Sequence, residues 1–133
     1  MTPFGEKIRE LRAARGVTMK DMAAALRVSP AYLSALEHGR RGRPSWAQVQ
    51  AIIGYFNVIW DEAADIERLA RLSHPRVTID TSGLDPSATE LANRLAEEIA
   101  HLTLAETREL NGVLTAILAR HPARRGGAGR KRQ

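Results

Sequence analysis

The side chains whose types and spacing could do chemistry in this sequence are cations and hydroxyls, and the chemistry they suit is the holding of phosphate. Gly39-Arg-Arg-Gly-Arg-Pro44 places Arg40, Arg41 and Arg43 in one short loop. Guanidinium groups gathered this way grip phosphate oxygens. Thr18 and Ser29 stand where helices are expected to begin. There, a hydroxyl and the first free backbone amides can hold an anion. Lys20 would add a further phosphate contact. Groups suited to catalysis lack a usable arrangement. His38, His74, His101 and His121 are scattered and make no His-x-x-x-His spacing. Glu97 and Glu98 are adjacent on a helix and so point in different directions. Gly39-Arg-Arg-Gly42 lacks phosphate-loop spacing, and no dinucleotide-binding glycine pattern occurs. With no cysteine, disulfides and zinc–thiolate sites are excluded. The expectation is a protein with no catalytic residue, no metal and no cofactor.

The elements that must carry these residues read as short helices. The first runs from about Thr2 to Ala14, with Pro3 in its first turn and a stripe of Phe4, Ile8 and Leu11, and ends at Gly16. The second opens at Thr18-Met-Lys-Asp21, a capping box with Asp in place of Glu, and turns Met22, Ala23 and Leu26 inward. The third opens at Ser29-Pro30, turns Leu33 and Leu36 inward and ends at Gly39. Only Arg27 and Val28 separate the second and third, a turn tight enough for a helix-turn-helix unit. Ser45 caps a fourth helix through Val49, Ile52, Ile53 and Phe56. A fifth runs from about Trp60 to Leu72. Arg76 to Thr81 alternates like a short strand. Asp85-Pro86 starts a sixth helix with Leu91, Leu95, Ile99 and Leu102 on one side. Thr103-Leu-Ala-Glu106 caps a seventh through Leu110, Val113, Leu114, Ile117 and Leu118, closed by Pro122.

Composition supports this all-α reading. Hydrophobic residues make up 44% of the 133 while aromatics are only 5%, which favours packed helices over a sheet. The net charge of +5 is unevenly spread: +5 over residues 1–60, −5 over 61–122 and +5 over 123–133. Basic ends suggest a polyanion, and an acidic middle suggests a separate task. The charged N-terminus is unlike a secretory signal, and no apolar run approaches a membrane span, so a cytoplasmic protein without a membrane partner is expected. The domain reading is 1–72 for a DNA-binding unit, 73–122 for a helical dimerisation segment and 123–133 for a disordered basic tail.

In a helix-turn-helix unit the second helix lies in the major groove while the first crosses the backbone. The outward residues near the start of that second helix are Pro30, Ala31, Tyr32, Ser34 and Ala35, the candidate base-reading set. Thr18, Lys20, Ser29, Arg40, Arg41 and Arg43 are the candidate backbone contacts, and Trp46 and Tyr32 could pack on sugar or bases. A tight helix pair also occurs in proteins that bind only proteins.

Residues 4–66 resemble the Cro/phage-repressor (XRE-type) helix-turn-helix family. The likeness is carried by Phe4-Gly-Glu-Lys-Ile-Arg-Glu-Leu-Arg-Ala-Ala-Arg-Gly16, Val17-Thr-Met-Lys-Asp-Met-Ala23 and Val28-Ser-Pro-Ala-Tyr-Leu-Ser-Ala-Leu-Glu-His-Gly39. The resemblance implies a five-helix lambda-repressor-like bundle that binds double-stranded DNA as a dimer and regulates transcription. It also implies phosphate contacts at Thr18, Ser29, Arg40, Arg41 and Arg43 and base contacts at Pro30, Ala31, Tyr32 and Ala35. Three positions depart from the pattern. Met19 replaces a common Gln. Arg27 replaces the usual Gly of the turn and must accept a left-handed backbone or shift the turn, at about 1 kcal/mol. The third helix lacks the Gln, Asn or Arg that reads bases bidentately, which leaves discrimination to apolar contacts, Tyr32, Ser34 and DNA shape.

The helices at 87–120 are the candidate homodimer element, within 73–120, or alternatively a cap on the first bundle. Their acidic residues Glu90, Glu97, Glu98, Glu106 and Glu109 are expected to face away from a duplex. The 76–82 segment could pair with its own copy. Arg124, Arg125, Arg130, Lys131 and Arg132 could add phosphate contacts or serve solubility alone. The leading reading is a dimeric sequence-specific regulator, a repressor before an activator. The alternatives are an antitoxin-like protein-interaction module with an unidentified protein partner and secondary DNA binding, and a nucleoid-type architectural binder.

Overall fold

A computed structural model of the chain describes residues 1–121. The tail expected at 123–133 lies outside them. The described residues fold into seven α-helices: α1 Pro3–Arg15, α2 Met19–Leu26, α3 Pro30–Glu37, α4 Trp46–Phe56, α5 Trp60–Arg71, α6 Pro86–Glu98 and α7 Leu104–Leu118. They fall in two compact units, Met1–Thr78 with α1 to α5, and a second from Ile79 onward with α6 and α7. No described helix is long and apolar enough to cross a membrane.

Local chemistry sets where the helices start. Thr2 caps α1, its Oγ1 accepting from Gly5 N at 3.1 Å, with Pro3 in the first turn. Thr18 and Asp21 cap α2 reciprocally, at 3.0 and 3.3 Å. Ser29 Oγ accepts from Tyr32 N at 3.0 Å ahead of Pro30. Ser45 and Gln48 form a second capping box at α4. The ends are equally local. Gly16 closes α1 at φ 65°, and Gly39 follows α3 at φ 78°.

The apolar stripes of the first unit meet in one core. Phe4, Ile8 and Leu11 of α1 pack with Met22 and Ala23 of α2 and Leu33 and Leu36 of α3. Val49, Ile52 and Phe56 of α4, and Ile66 and Ala70 of α5, close it. Burying each large side chain contributes roughly 1.5–3 kcal/mol. Leu26, expected inside, is only partly buried at its margin, as is Ile53 of α4.

Polar groups then lock α1 onto the end of α3. Arg12 pairs with Glu37, whose side chain is 1% exposed. Thr2 donates through both its N–H and its hydroxyl to the Glu37 carbonyl, each at 3.1 Å. Gly5 permits this approach, since a Cβ there would fall inside the van der Waals envelope of the same carbonyl oxygen. The unit continues past α5 because Ser73 is buried: its Oγ accepts from Phe4 N at 2.9 Å and donates to Leu69 O at 2.6 Å.

The strand expected at 76–81 does not form. Residues 77–81 carry no helix or ladder, and no strand occurs among the described residues. Alternation of Val77 and Ile79 supplies the right faces, but a strand exists only when its backbone groups find a second extended segment. Local bonds take over just beyond, where Ser82 N donates to Asp80 Oδ1 at 2.9 Å and Leu84 N to Thr81 O at 3.0 Å.

In the second unit, Asp85 caps α6 by accepting from Ser87, whose hydroxyl and backbone N–H hold the carboxyl below the usual Asp range. Thr103 and Glu106 cap α7 reciprocally, at 3.1 and 2.9 Å. A single 3-10 turn, Ile99–His101, precedes α7. Neither α6 nor α7 contains a buried residue.

Two glycine substitutions should separate in sign. Gly5→Ala collides with the Glu37 backbone and is expected to cost about 1–3 kcal/mol in urea unfolding. Gly54→Ala, on an open stretch of α4, is expected to stabilise by about 0.5–1 kcal/mol. The Arg12–Glu37 pair has its own signature. Arg12→Met should cost about 3–5 kcal/mol by stranding a buried carboxylate, and adding Glu37→Leu should recover most of the loss.

Candidate nucleic-acid interface

The turn between α2 and α3 is made by Arg27 at φ 61°, ψ 41°. Of the two options open to a non-glycine residue there, the chain takes the left-handed one. Val28 N then donates to Ala23 O at 3.0 Å, which closes α2 just before Ser29 opens α3. Met22, Ala23, Leu33 and Leu36 hold the pair against the core. Pro30 and Ala31, on the first turn of α3, are exposed; Tyr32, Ser34 and Ala35 are half-buried. The candidate base-reading residues therefore share one helix, and its N-terminal turn is the most open part.

Thr18, Lys20 and Ser29 are all exposed. The hydroxyls of Thr18 and Ser29 already accept from the backbone of their own helices. Each keeps its O–H proton available for a phosphate oxygen, beside the free amides of a helix start.

The basic loop is shaped by glycine. Gly39 and Gly42 both adopt positive φ, at 78° and 73°, and Gly42 N donates to Gly39 O at 3.0 Å. The fold is tight at Gly39, where a Cβ would lie 2.7 Å from Thr2 Cγ2. The loop is anchored to α3 by Arg40 N, which donates to Ala35 O at 3.0 Å. Arg40, Arg41 and Arg43 stay exposed, while Pro44 is buried.

Two candidates from different sets are brought together. The Arg41 guanidinium carbon lies 4.7 Å from the centre of the Tyr32 ring, a cation–π arrangement. The Tyr32 hydroxyl accepts from Gln48 Nε2, and Gln48 Oε1 accepts from Ser45 N at 2.9 Å. Tyr32 is thus braced between the basic loop and the start of α4. The sequence alone does not single out Gln48. Its place three residues after Ser45 marks it as a capping partner, but nothing local signals its second bond to Tyr32.

Both tryptophans are surface residues. Trp46, the first residue of α4, is 75% exposed and follows directly on the basic loop. Trp60, the first residue of α5, is 82% exposed and sits at φ 54° after a start that has no side-chain cap. No group of three or more potential metal ligands is present among the described residues.

Residues 3–64, a little under half of the chain, match the family model of a helix-turn-helix domain. The chain is 36% identical over 61 residues to the uncharacterised HTH-type transcriptional regulator RghRB of Bacillus subtilis (strain 168), a match covering 46% of this chain and 44% of that protein. It is 42% identical over 53 residues to the HTH-type transcriptional regulator DdrOP3 of Deinococcus deserti, covering 40% of each. The match spans less than half the length of these curated relatives. No solved structure matches the chain. Over the residues that match that family model, α2 and α3 form the tight helix pair of the first unit.

Arg27→Gly tests the turn. Glycine adopts the left-handed backbone without a Cβ penalty, so the variant should gain up to about 1 kcal/mol and melt several degrees higher by circular dichroism. An unchanged or lower melting temperature would mean that the arginine side chain offsets its backbone strain.

Proposed function

We propose that this chain is a DNA-binding transcriptional regulator that binds a specific double-stranded site as a homodimer, with α3 in the major groove. The observation that carries the reading is the exposed first turn of α3, bordered by the hydroxyls of Thr18 and Ser29 and by the three arginines of the loop that follows. The helix-turn-helix match and the names of the relatives support it. In this reading Thr18, Lys20, Ser29, Arg40, Arg41 and Arg43 hold phosphates, and Pro30, Ala31, Tyr32, Ser34 and Ala35 face base edges.

Pro30, Ala31 and Ala35 offer only apolar surface, suited to thymine methyls. Tyr32 is the one side chain of the set with both a large face and a polar tip. Its bracing by Gln48 and Arg41 favours a fixed ring over a mobile one. Arg41 gives up little by turning from the ring to a phosphate, since an exposed cation–π contact contributes about 0.5–1 kcal/mol.

One recognition helix covers few base pairs, and a homodimer through residues 73–120 would double the footprint, with half-sites about one turn, ~34 Å, apart. Repression suits the architecture better than activation, because occupying an operator needs no further surface. A cytoplasmic location and the absence of catalysis belong to the same reading. The basic segment 123–133 would add salt-sensitive phosphate contacts.

Genome-wide footprinting, followed by fluorescence anisotropy on the selected duplex and on scrambled DNA, tests this. Arg40→Ala should weaken binding to every duplex alike and lower the salt slope by about 1. Tyr32→Ala should change preference at one base position by about 1–3 kcal/mol. Arg41→Ala, which uncovers the Tyr32 ring, should do some of both. Equal affinity of the unmodified chain for all duplexes would replace the specific regulator with an architectural binder. Stoichiometric co-purification of a second protein would favour an antitoxin-like module.

A further inference from the structure

We propose that α7 is a self-complementary surface that pairs antiparallel with α7 of a second copy, about a two-fold axis passing between Val113 and Leu114. The inference rests on the homodimer reading above and gives that dimer a surface, a direction and a register. Leu110, Val113, Leu114 and Ile117 recur at i, i+3, i+4 and i+7, so they share one face of α7. All four are exposed, Leu114 by 54%. The set is symmetric about its own middle: Leu110 mirrors Ile117, and Val113 mirrors Leu114. A two-fold interface demands that kind of patch, because each side chain must meet the image of another member of the same patch.

Charge selects the direction. Glu106 and Glu109 lie near the start of α7, and Arg120 lies just past its end, where Arg120 N still donates to Ile117 O at 3.1 Å. At about 100° per residue Glu109 and Arg120 fall on the same flank of the apolar face, while Glu106 lies within the face itself, one turn before Leu110. Antiparallel pairing sets like flank against like flank, and the mirror point puts the partner's Arg120 level with Thr107, between Glu106 and Glu109. Parallel pairing would instead bring the acidic starts together and align the two helix dipoles unfavourably. Neither Glu109 nor Arg120 has an ion-pair partner among the described residues. Residues 122–133 contain only Pro, Ala, Gly, Arg, Lys and Gln, and so offer this patch no large apolar side chain.

Sedimentation equilibrium on the full chain tests the arrangement. The unmodified protein should be dimeric at micromolar concentration. Leu114→Glu, which sets like charges at the axis, should be monomeric with unchanged helical circular dichroism. Arg120→Glu should weaken the dimer roughly five- to tenfold, and Glu109→Arg combined with Arg120→Glu should restore it. A Leu114→Glu protein that stays dimeric, or a double variant no tighter than Arg120→Glu alone, overturns the antiparallel α7 pair while homodimerisation stands. An unmodified chain that is monomeric overturns homodimerisation and this surface together.

Discussion

The candidate site depends on how close α1 comes to the C-terminal end of α3. At that crossing the Glu37 carbonyl takes two hydrogen bonds from Thr2, its carboxylate meets Arg12, and Gly5 leaves room for the backbones to approach. A buried ion pair of this sort adds little net stability, because desolvation cancels much of the attraction. Its effect is on geometry: a misplaced α3 would strand a carboxylate in the core. The same crossing is braced from behind by Ser73, which ties the start of α1 to the end of α5. The helix that would enter a groove is therefore fixed at its far end, and its first turn stays free.

That division of labour explains the chemistry of the exposed turn. The polar groups near it are caps, which satisfy the helix while keeping a proton to donate. The arginines sit on a loop whose two positive-φ glycines let it turn tightly beneath α3. Tyr32 joins the two parts. Its ring carries Arg41 and its hydroxyl is held by Gln48, so the first turn of α3, the basic loop and the start of α4 are mechanically coupled.

The helix starts were readable because capping is a conversation among four neighbouring residues. Thr18 with Asp21, Ser29 before Pro30, and Thr103 with Glu106 all stand as the pattern implied. The left-handed turn at Arg27 was readable as one of two outcomes for the same reason. Features made by distant parts of the chain were hidden. Arg12 and Glu37 look like ordinary surface charges of two helices, and only the crossing makes them internal. Gly5 looks like a weak helix residue until the Glu37 carbonyl is set beside it. The stretch around Val77 and Ile79 shows the converse: its alternation was genuine, but it has no strand to pair with. In the proposed reading, base-facing and phosphate-facing roles within α3 and its loop would likewise be set by a partner molecule rather than by any local signal.

The position of the two tryptophans has a practical consequence. Trp46 and Trp60 both lie on the surface of the first unit, and the core beneath them is built without an indole. Intrinsic emission should already be red-shifted in the native protein, so chemical unfolding will look almost silent in that channel. The same optical signal is well placed to report events at the surface, because Trp46 adjoins the basic loop and anything that settles there changes its surroundings.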